Sequence, residues 1–324
     1  MLRKFHINCA IMMASALFSA GCSKEQAGAS GSDESFSIGT YNLWAVSARQ
    51  AEYDKGNAVI ERTWPYSESI EAGYVAELNL DIIGVQEMAP EQAAYLTDKF
   101  QKAGLGYASV FFWPDETDHA KQSADGIFYR SSRFVLKDWH RYWISKTPEV
   151  QSYGWDEGEY KDAHYHYRYR NAGYCHFYDK LTGRDFIVTV IHGPQYPEAR
   201  ENAARLMIEY ETQLNTERYP SFFIGDMNSN ADAVPEDGFN TVMRAYCDDA
   251  YKVAIKNNGQ KYTFAGANCD RAPYVRYDYI YLHSDKPDSF LVEEYAVGVD
   301  RFDVNGKKCQ PSDHCPVYIK VKLK

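Results

Sequence analysis

From Phe36 onward, short apolar runs rich in β-branched and aromatic residues alternate with stretches whose apolar positions recur every three or four residues. The period-two runs predict strands at 36–42, 81–86, 107–112, 126–129, 134–144, 164–178, 185–192, 221–225, 277–282 and 316–323. The last is the cleanest: Val317, Ile319, Val321 and Leu323 alternate with Tyr318, Lys320, Lys322 and Lys324, so one face is buried and the other wet. Helical spacing of Ala203, Leu206, Met207, Tyr210 and Leu214 predicts a helix over 197–214 with one apolar stripe against a sheet. A second helix carries Ile70, Tyr74 and Leu78, and a third spans about 91–102. Many strands, few helices and no regular strand–helix alternation predict a two-layer β core flanked by helices, not a parallel doubly wound sheet.

Composition sharpens the ends more than the middle. At 324 residues, 45% hydrophobic and 15% aromatic, the chain has enough apolar surface for a large core, which excludes disorder for most of it. The first 21 residues read differently. Arg3 and Lys4 precede an apolar run from Ile11 to Phe18, and Ser19-Ala20-Gly21 lead into Cys22, the layout of an export signal. Because Cys22 directly follows the small residues, the segment resembles a bacterial lipoprotein signal, which implies an acylated Cys22 and a membrane-anchored mature protein; a secreted soluble protein is the alternative. The apolar run is shorter than the roughly 20 residues a spanning helix needs. Residues 22–35 are small and polar and read as a flexible tether, leaving 36–324 as one domain. Removing residues 1–21 takes away two basic residues and no acidic ones, so the formal net charge moves from −10 to −12. Such a surface disfavours tight, sequence-independent binding of polyanions and suits a cation-loaded site. The remaining cysteines, 175, 247, 269, 309 and 315, lack metal-ligand spacing and read as structural. Cys309 with Cys315 would close a short loop and Cys247 with Cys269 a longer one, leaving one free thiol.

Candidate chemistry sits at the strand ends. Phe222-Phe223-Ile224-Gly225-Asp226-Met227-Asn228 runs from an apolar strand into a glycine, a carboxylate and a carboxamide, and the alternation of an extended chain points Asp226 and Asn228 the same way. Tyr41-Asn42 ends the first strand, Gln86-Glu87 follows the second, Ile191-His192 closes another, Asp278 lies within Arg276-Tyr277-Asp278-Tyr279-Ile280, and Ser312-Asp313-His314 precede the last. Each has an ordinary structural account as a cap, a turn or a core histidine. Their order and contexts together make coincidence improbable.

With Thr40-Tyr41-Asn42, Asp81-Ile82-Ile83-Gly84-Val85-Gln86-Glu87, His192, Gly225-Asp226-Met227-Asn228, Tyr277-Asp278-Tyr279-Ile280 and Ser312-Asp313-His314 in this order, the chain resembles the endonuclease/exonuclease/phosphatase superfamily. The resemblance implies a four-layer α/β/β/α sandwich with two packed, mostly antiparallel β-sheets flanked by helices. It also implies metal-dependent phosphodiester hydrolysis with Mg²⁺, or Mn²⁺ in its place. Glu87 is the expected metal ligand, because Mg²⁺ keeps several waters and takes one or two protein carboxylates, with Asn42 and Asp313 in support. His314 is the expected base or electrostatic partner, oriented by Asp278. His192 and Asn228 are expected to donate to the phosphoryl oxygens, and Asp226 to orient or deprotonate the attacking water. Two departures matter. The common Thr-His-Leu reads Ile191-His192-Gly193-Pro194 here, and the tryptophan and Pro-x-Trp-x-Asp-Arg segments of inositol-polyphosphate phosphatases are absent, which disfavours that subfamily.

Between Tyr153 and Tyr178, aromatics interleave with Arg168, Arg170 and histidines. They suit base stacking and phosphate contact, or a lipid headgroup region, or simply cross-strand pairs. Arg168, Arg170 and Arg130 are the candidate second phosphate contacts. The leading expectation is therefore an exported nuclease. A sphingomyelinase-like phospholipid phosphodiesterase acting on lipid headgroups and a catalytically inactive binding lipoprotein are the alternatives.

Overall fold

Two β-sheets stack face to face at the centre of the protein, with helices on both outer surfaces, in a computed structural model that describes residues 34–119, 122–155, 169–230, 232–304 and 306–324. In chain order the strands are β1 (Phe36–Asn42), β2 (Ile82–Met88), β3 (Tyr107–Phe112), β4 (Ala124–Arg130), β5 (Phe134–Trp143), β6 (Asn171–Asp179), β7 (Arg184–His192) and β8 (Ser221–Asp226). There follow β9 (Asp248–Asp249), β10 (Lys256–Asn257), β11 (Asp278–His283), β12 (Phe290–Val297), β13 (Phe302–Val304), β14 (Lys307–Cys309) and β15 (Val317–Leu323). The helices are α1 (Val46–Asp54), α2 (Glu68–Leu78), α3 (Pro90–Lys102), α4 (Pro197–Leu214), α5 (Gly238–Tyr246) and the short α6 (Ala250–Val253).

One sheet has seven strands in the order β10-β12-β15-β1-β2-β4-β3, and the other six in the order β5-β6-β7-β8-β11-β9. Most pairs are antiparallel; β1 with β2, β7 with β8 and β10 with β12 run parallel. The inner faces share an apolar core in which Phe186 touches Phe36, Phe134, Phe177 and Phe222 with ring centroids 5.3–5.9 Å apart. Truncating such a ring costs about 3–5 kcal/mol. Tyr74 and Val75 of α2 with Leu96 and Phe100 of α3 cover the outer face of the seven-stranded sheet. Ala203, Leu206, Met207 and Tyr210 of α4 with Phe239 and Met243 of α5 cover the other. This is the four-layer α/β/β/α sandwich.

The long elements form where the pattern puts them. Pro90 and Pro197 start α3 and α4 at the position where a missing N–H costs nothing, and the Gln92 side chain accepts the Ala89 N–H at 2.9 Å. The sequence expectations omit β12, α1 and α5. In β12 a bulge between Val292 and Glu294 spaces the buried Val292, Tyr295 and Val297 by three and then two, which breaks the alternation. Helix α1 buries only Arg49, so it has no apolar stripe. Helix α5 begins at a glycine and is held at its start by Asp237, which accepts the Phe239 N–H.

The disulfide expectations need correcting. Cys269 joins Cys309, while Cys175, Cys247 and Cys315 are buried free thiols. Cys315 stands beside the start of β15 with its side chain in the inter-sheet core, which turns it away from Cys309. Cys247 ends α5 against the opposite outer layer, apart from Cys269. Of the predicted strand 164–178, residues 171–178 lie in β6 and 164–168 fall outside the described residues, as do the expected signal and most of the tether. Among the described residues, no helix is long and apolar enough to cross a membrane.

Candidate active site

The parallel pairs β1–β2 and β7–β8 end at the same edge of the sandwich, and the polar clusters collect there. The seven-stranded sheet supplies Asn42, Glu87 and the segment Ser312-Asp313-His314 leading into β15; the six-stranded sheet supplies His192, Asp226, Asn228 and Asp278. The cleft is therefore built across the seam between sheets.

Local backbone geometry aims these side chains. Against Asp125 of β4 the second strand carries two residues, Gln86 and Glu87, a bulge that turns Glu87 to φ 57° and toward the cleft. Trp44 (φ 60°) and Asn228 (φ 49°) are also left-handed, so three non-glycine residues in this conformation cluster at one edge, as strained residues do at functional sites. Gly225 (φ 150°) admits no side chain: a Cβ there would lie 1.9 Å from the Ile191 carbonyl oxygen. The close approach it permits sets Asp226 beside His192 in the β7–β8 ladder.

Asp226 is the hub. Its Oδ2 accepts from Asn42 Nδ2 at 3.0 Å and lies 3.5 Å from His192 Nε2 and 3.6 Å from His314 Nε2, while its Oδ1 accepts the Asn228 N–H at 2.8 Å. Burial, reinforced by the Asp278 carboxylate, pushes its pKa up to about 7 against the pull of His314. His314 Nδ1 donates to Asp278 Oδ2 at 2.8 Å, and its ring meets Phe264 edge-on. Burial works against its charged form, yet Asp278 and Asp226 outweigh it and hold the imidazole well above its ordinary pKa. His192 Nε2 also lies 3.7 Å from Glu87 Oε1. Asn228 spends one amide hydrogen on the Gly193 carbonyl at 2.8 Å.

The loop after β1 holds the acids of the seven-stranded sheet. Ala45 N–H donates to Glu87 Oε2 at 2.8 Å, Trp44 N–H to Asn42 Oδ1 at 2.9 Å, and Ser312 Oγ to the Asn42 carbonyl at 2.7 Å. Two buried arginines anchor that loop, and the sequence reading missed both. Arg49 bonds the carbonyls of Leu43 and Trp44 and pairs with Glu71; Arg62 lies over the Trp44 ring and donates to the carbonyls of Ala267 and Ser312. Burial pushes the Asp313 carboxyl up to about 6, with Glu87 adding to the rise and His314 and Arg62 opposing it. Asp125, also unforeseen, is buried, and its Oδ2 accepts the His192 N–H at 2.9 Å. Its only sequence signal is an acid beside a glycine at the mouth of a strand.

The substrate-contact expectations divide. Arg130 ends β4 at the opposite edge, where it lies over the Tyr107 ring and bonds the Leu105 carbonyl and Asn79. Because β4 runs antiparallel to β2, its start faces the cleft and its end faces away, so Arg130 stands apart from the other candidate residues. Arg170 lies at the cleft edge, just before β6, and its charge acts on Asp125. Arg168 lies outside the described residues.

The donor set suits a hard divalent cation. Glu87, Asp226, Asp278 and Asp313 meet in one place, and Glu87 adds to the burial that raises the Asp313 carboxyl, a repulsion that a bound cation relieves. Asp226, Asp278 and His314 form a compact donor group, with ligand atoms within 4.8 Å of one another. Asp278 and His314 are engaged with each other, however, so Glu87, part-exposed at the cleft and with Oε1 directed inward, is the better-placed ligand.

This four-layer sandwich is shared by solved structures of endonuclease/exonuclease/phosphatase family proteins, to which the chain is similar. It is similar to an endonuclease/exonuclease/phosphatase family protein from Bacteroides thetaiotaomicron, at 26% identity and a TM-score of 0.72, over 90% of this chain and 98% of that one. It is similar to a mannosyl-6-phosphatase from the same organism, at 25% identity and a TM-score of 0.71, over 89% of this chain and 100% of that one. At the level of fold it is similar to D. rerio TDP2 complexed with a single-strand DNA product, at 18% identity and a TM-score of 0.60, over 90% of this chain and 100% of that one. No sequence-family profile and no curated protein sequence matches the chain.

Proposed function

We propose that the protein is a divalent-cation-dependent phosphoester hydrolase. The observation that carries the reading is the placement of Asp226, whose carboxylate touches the metal-side Asn42 and both cleft histidines from the centre of the seam. With its pKa near 7, Asp226 is matched to accept a proton from an attacking water at neutral pH. His314, whose pKa Asp278 and Asp226 raise against the effect of burial, is the positive partner beside it in this reading, and Asp226 is the base. His192 and the remaining amide hydrogen of Asn228 donate to the phosphoryl oxygens as charge grows on them. Glu87, with Asn42 and Asp313, would hold Mg²⁺ or Mn²⁺, which when bound polarises the phosphoryl group and screens its charge.

For the substrate, two observations favour a small phosphorylated sugar: the acidic balance of the chain and the similarity to a mannosyl-6-phosphatase. Nucleic acid, expected from the sequence, is the second reading, supported by the shared fold of a protein complexed with single-strand DNA product. Export with an acyl anchor on Cys22 belongs to the proposal and rests on the N-terminal sequence alone.

A panel of mannose 6-phosphate, bis-p-nitrophenyl phosphate, plasmid DNA, RNA and sphingomyelin, each with EDTA or Mg²⁺, tests this. Turnover of mannose 6-phosphate that EDTA abolishes and Mg²⁺ restores is expected. Hydrolysis indifferent to chelation sinks the cation mechanism, and turnover confined to DNA or RNA replaces the sugar phosphate by the nuclease reading.

A further inference from the structure

The two halves of the cleft belong to different sheets, and apolar packing between sheets does not by itself define their alignment to the fraction of an ångström that catalysis requires. At the cleft edge the His314–Asp278 pair crosses the seam, and so do three further hydrogen bonds. Asn42 Nδ2 of β1 reaches Asp226 of β8, Asn171 Nδ2 of β6 reaches the Phe112 carbonyl of β3 at 3.2 Å, and Asp125 of β4 reaches the His192 N–H of β7. Asn42 and Asp226 are site residues already. Asp125 is not: it sits on the far side of His192 from the Asp226 contact.

Strand geometry gives Asp125 a defined task. The β6–β7 ladder ends with Ala172 opposite Ile191, one residue short of His192, so the amide of this buried residue lies past the last β6 pairing. The carboxylate of Asp125 supplies the acceptor. The same residue lies opposite the Gln86–Glu87 bulge in the β2–β4 ladder, so Asp125 is joined through its side chain to the backbone that carries the cleft histidine and through its strand to the turn that aims the metal-side glutamate. Gly173 brings the sheets close at this corner, because a Cβ there would lie 2.1 Å from the Phe112 ring.

We propose that Asp125 is a positioning residue: its hydrogen bond to the His192 amide locks the histidine of one sheet in register with Glu87 of the other. It acts as an acceptor, so the neutral Asp125→Asn variant, with an amide oxygen in the same place, preserves the lock, and Asp125→Ala releases it. The consequence for turnover rests on the hydrolase reading above; the hydrogen bond itself does not.

Two measurements separate these. Amide hydrogen exchange at His192, followed by NMR in metal-free protein without substrate, reads the lock directly. Slow exchange in the wild type and in Asp125→Asn is expected, with faster exchange in Asp125→Ala. Rapid exchange of the His192 amide in the wild type overturns the proposal whether or not any variant folds. Steady-state kinetics with Mg²⁺ and p-nitrophenyl phosphate read the effect on chemistry. We expect Asp125→Ala to lower kcat by about 10–100-fold, the range for partners that orient site residues, with KM little changed, and Asp125→Asn to restore it. Wild-type kcat in Asp125→Ala, or equal impairment in the two variants, overturns it. A wild type that hydrolyses no phosphoester defeats the hydrolase reading and leaves the exchange result to decide the lock.

Discussion

His314 Nδ1 stands 2.8 Å from Asp278 Oδ2 while its other ring nitrogen stands 3.6 Å from Asp226 Oδ2, so one imidazole is held between two buried carboxylates. The carboxylates raise its pKa, and the stability this contributes is fully present below the ordinary histidine pKa of about 6.5 and lost as pH rises through the elevated folded value. Replacing Asp278 by Asn is expected to lower the His314 pKa, read by NMR titration of the metal-free protein. His314→Ala should cut turnover by at least about 10²-fold; a full-rate variant would remove His314 from the mechanism.

Glu87 lends one carboxylate oxygen to the Ala45 amide and directs the other toward His192. Glu87→Gln is expected to raise the Mg²⁺ concentration for half-maximal activity by roughly 10-fold or more, with the fold intact by circular dichroism. An unchanged Mg²⁺ titration would move the metal to another ligand.

Burial raises the Asp125 carboxyl from 3.8 to about 7 in the folded protein, although Arg170 pulls it down. A raised acid costs the fold nothing below its unfolded pKa, and the cost is complete above the folded one. Asp125→Asn should therefore melt higher than wild type at pH 8 in chelator, and the advantage should vanish by about pH 4. Parallel Tm profiles for the two proteins across that range would contradict the shift.

The Cys269–Cys309 bond closes a loop with a sequence separation of 40, which in the chain-entropy account stabilises the fold by roughly 4 kcal/mol. Cys269→Ser and Cys309→Ser should each lower Tm by a similar amount and show no further loss on reduction. A reduction-sensitive melt in either variant would point to a different pairing.

The two arginines should part company. Arg170→Ala at the cleft edge is expected to raise KM for a phosphoester several-fold, while Arg130→Ala at the opposite edge leaves kcat/KM within about twofold of wild type. Equal effects would mean that distance from the cleft does not decide substrate contact.

Much of this architecture was legible residue by residue. Alternation along β15 and helical spacing along α4 are local consequences of one buried face, so the sequence carries them openly. Asn42, Glu87, His192, Asp226, Asn228, Asp278, Asp313 and His314 stood out because polar residues at apolar strand ends are conspicuous. Elements whose stability is not local stayed hidden. Helix α1 is held by one buried arginine, and the alternation of β12 is broken by a bulge.

By itself the sequence determined most of the long strands and helices, that two sheets must pack inside helices, and which polar side chains stand at the strand ends, because each is written in short-range periodicity or motif. Tertiary structure alone decided which edge each strand end faces, and so put Arg130 at the edge away from the cleft and Asp125 beside His192. It decided the cysteine pairing, which depends on which buried cluster each sulfur joins. It also decided which groups titrate away from their ordinary values, because burial and neighbouring charge arise only when chain segments far apart in sequence meet across the seam.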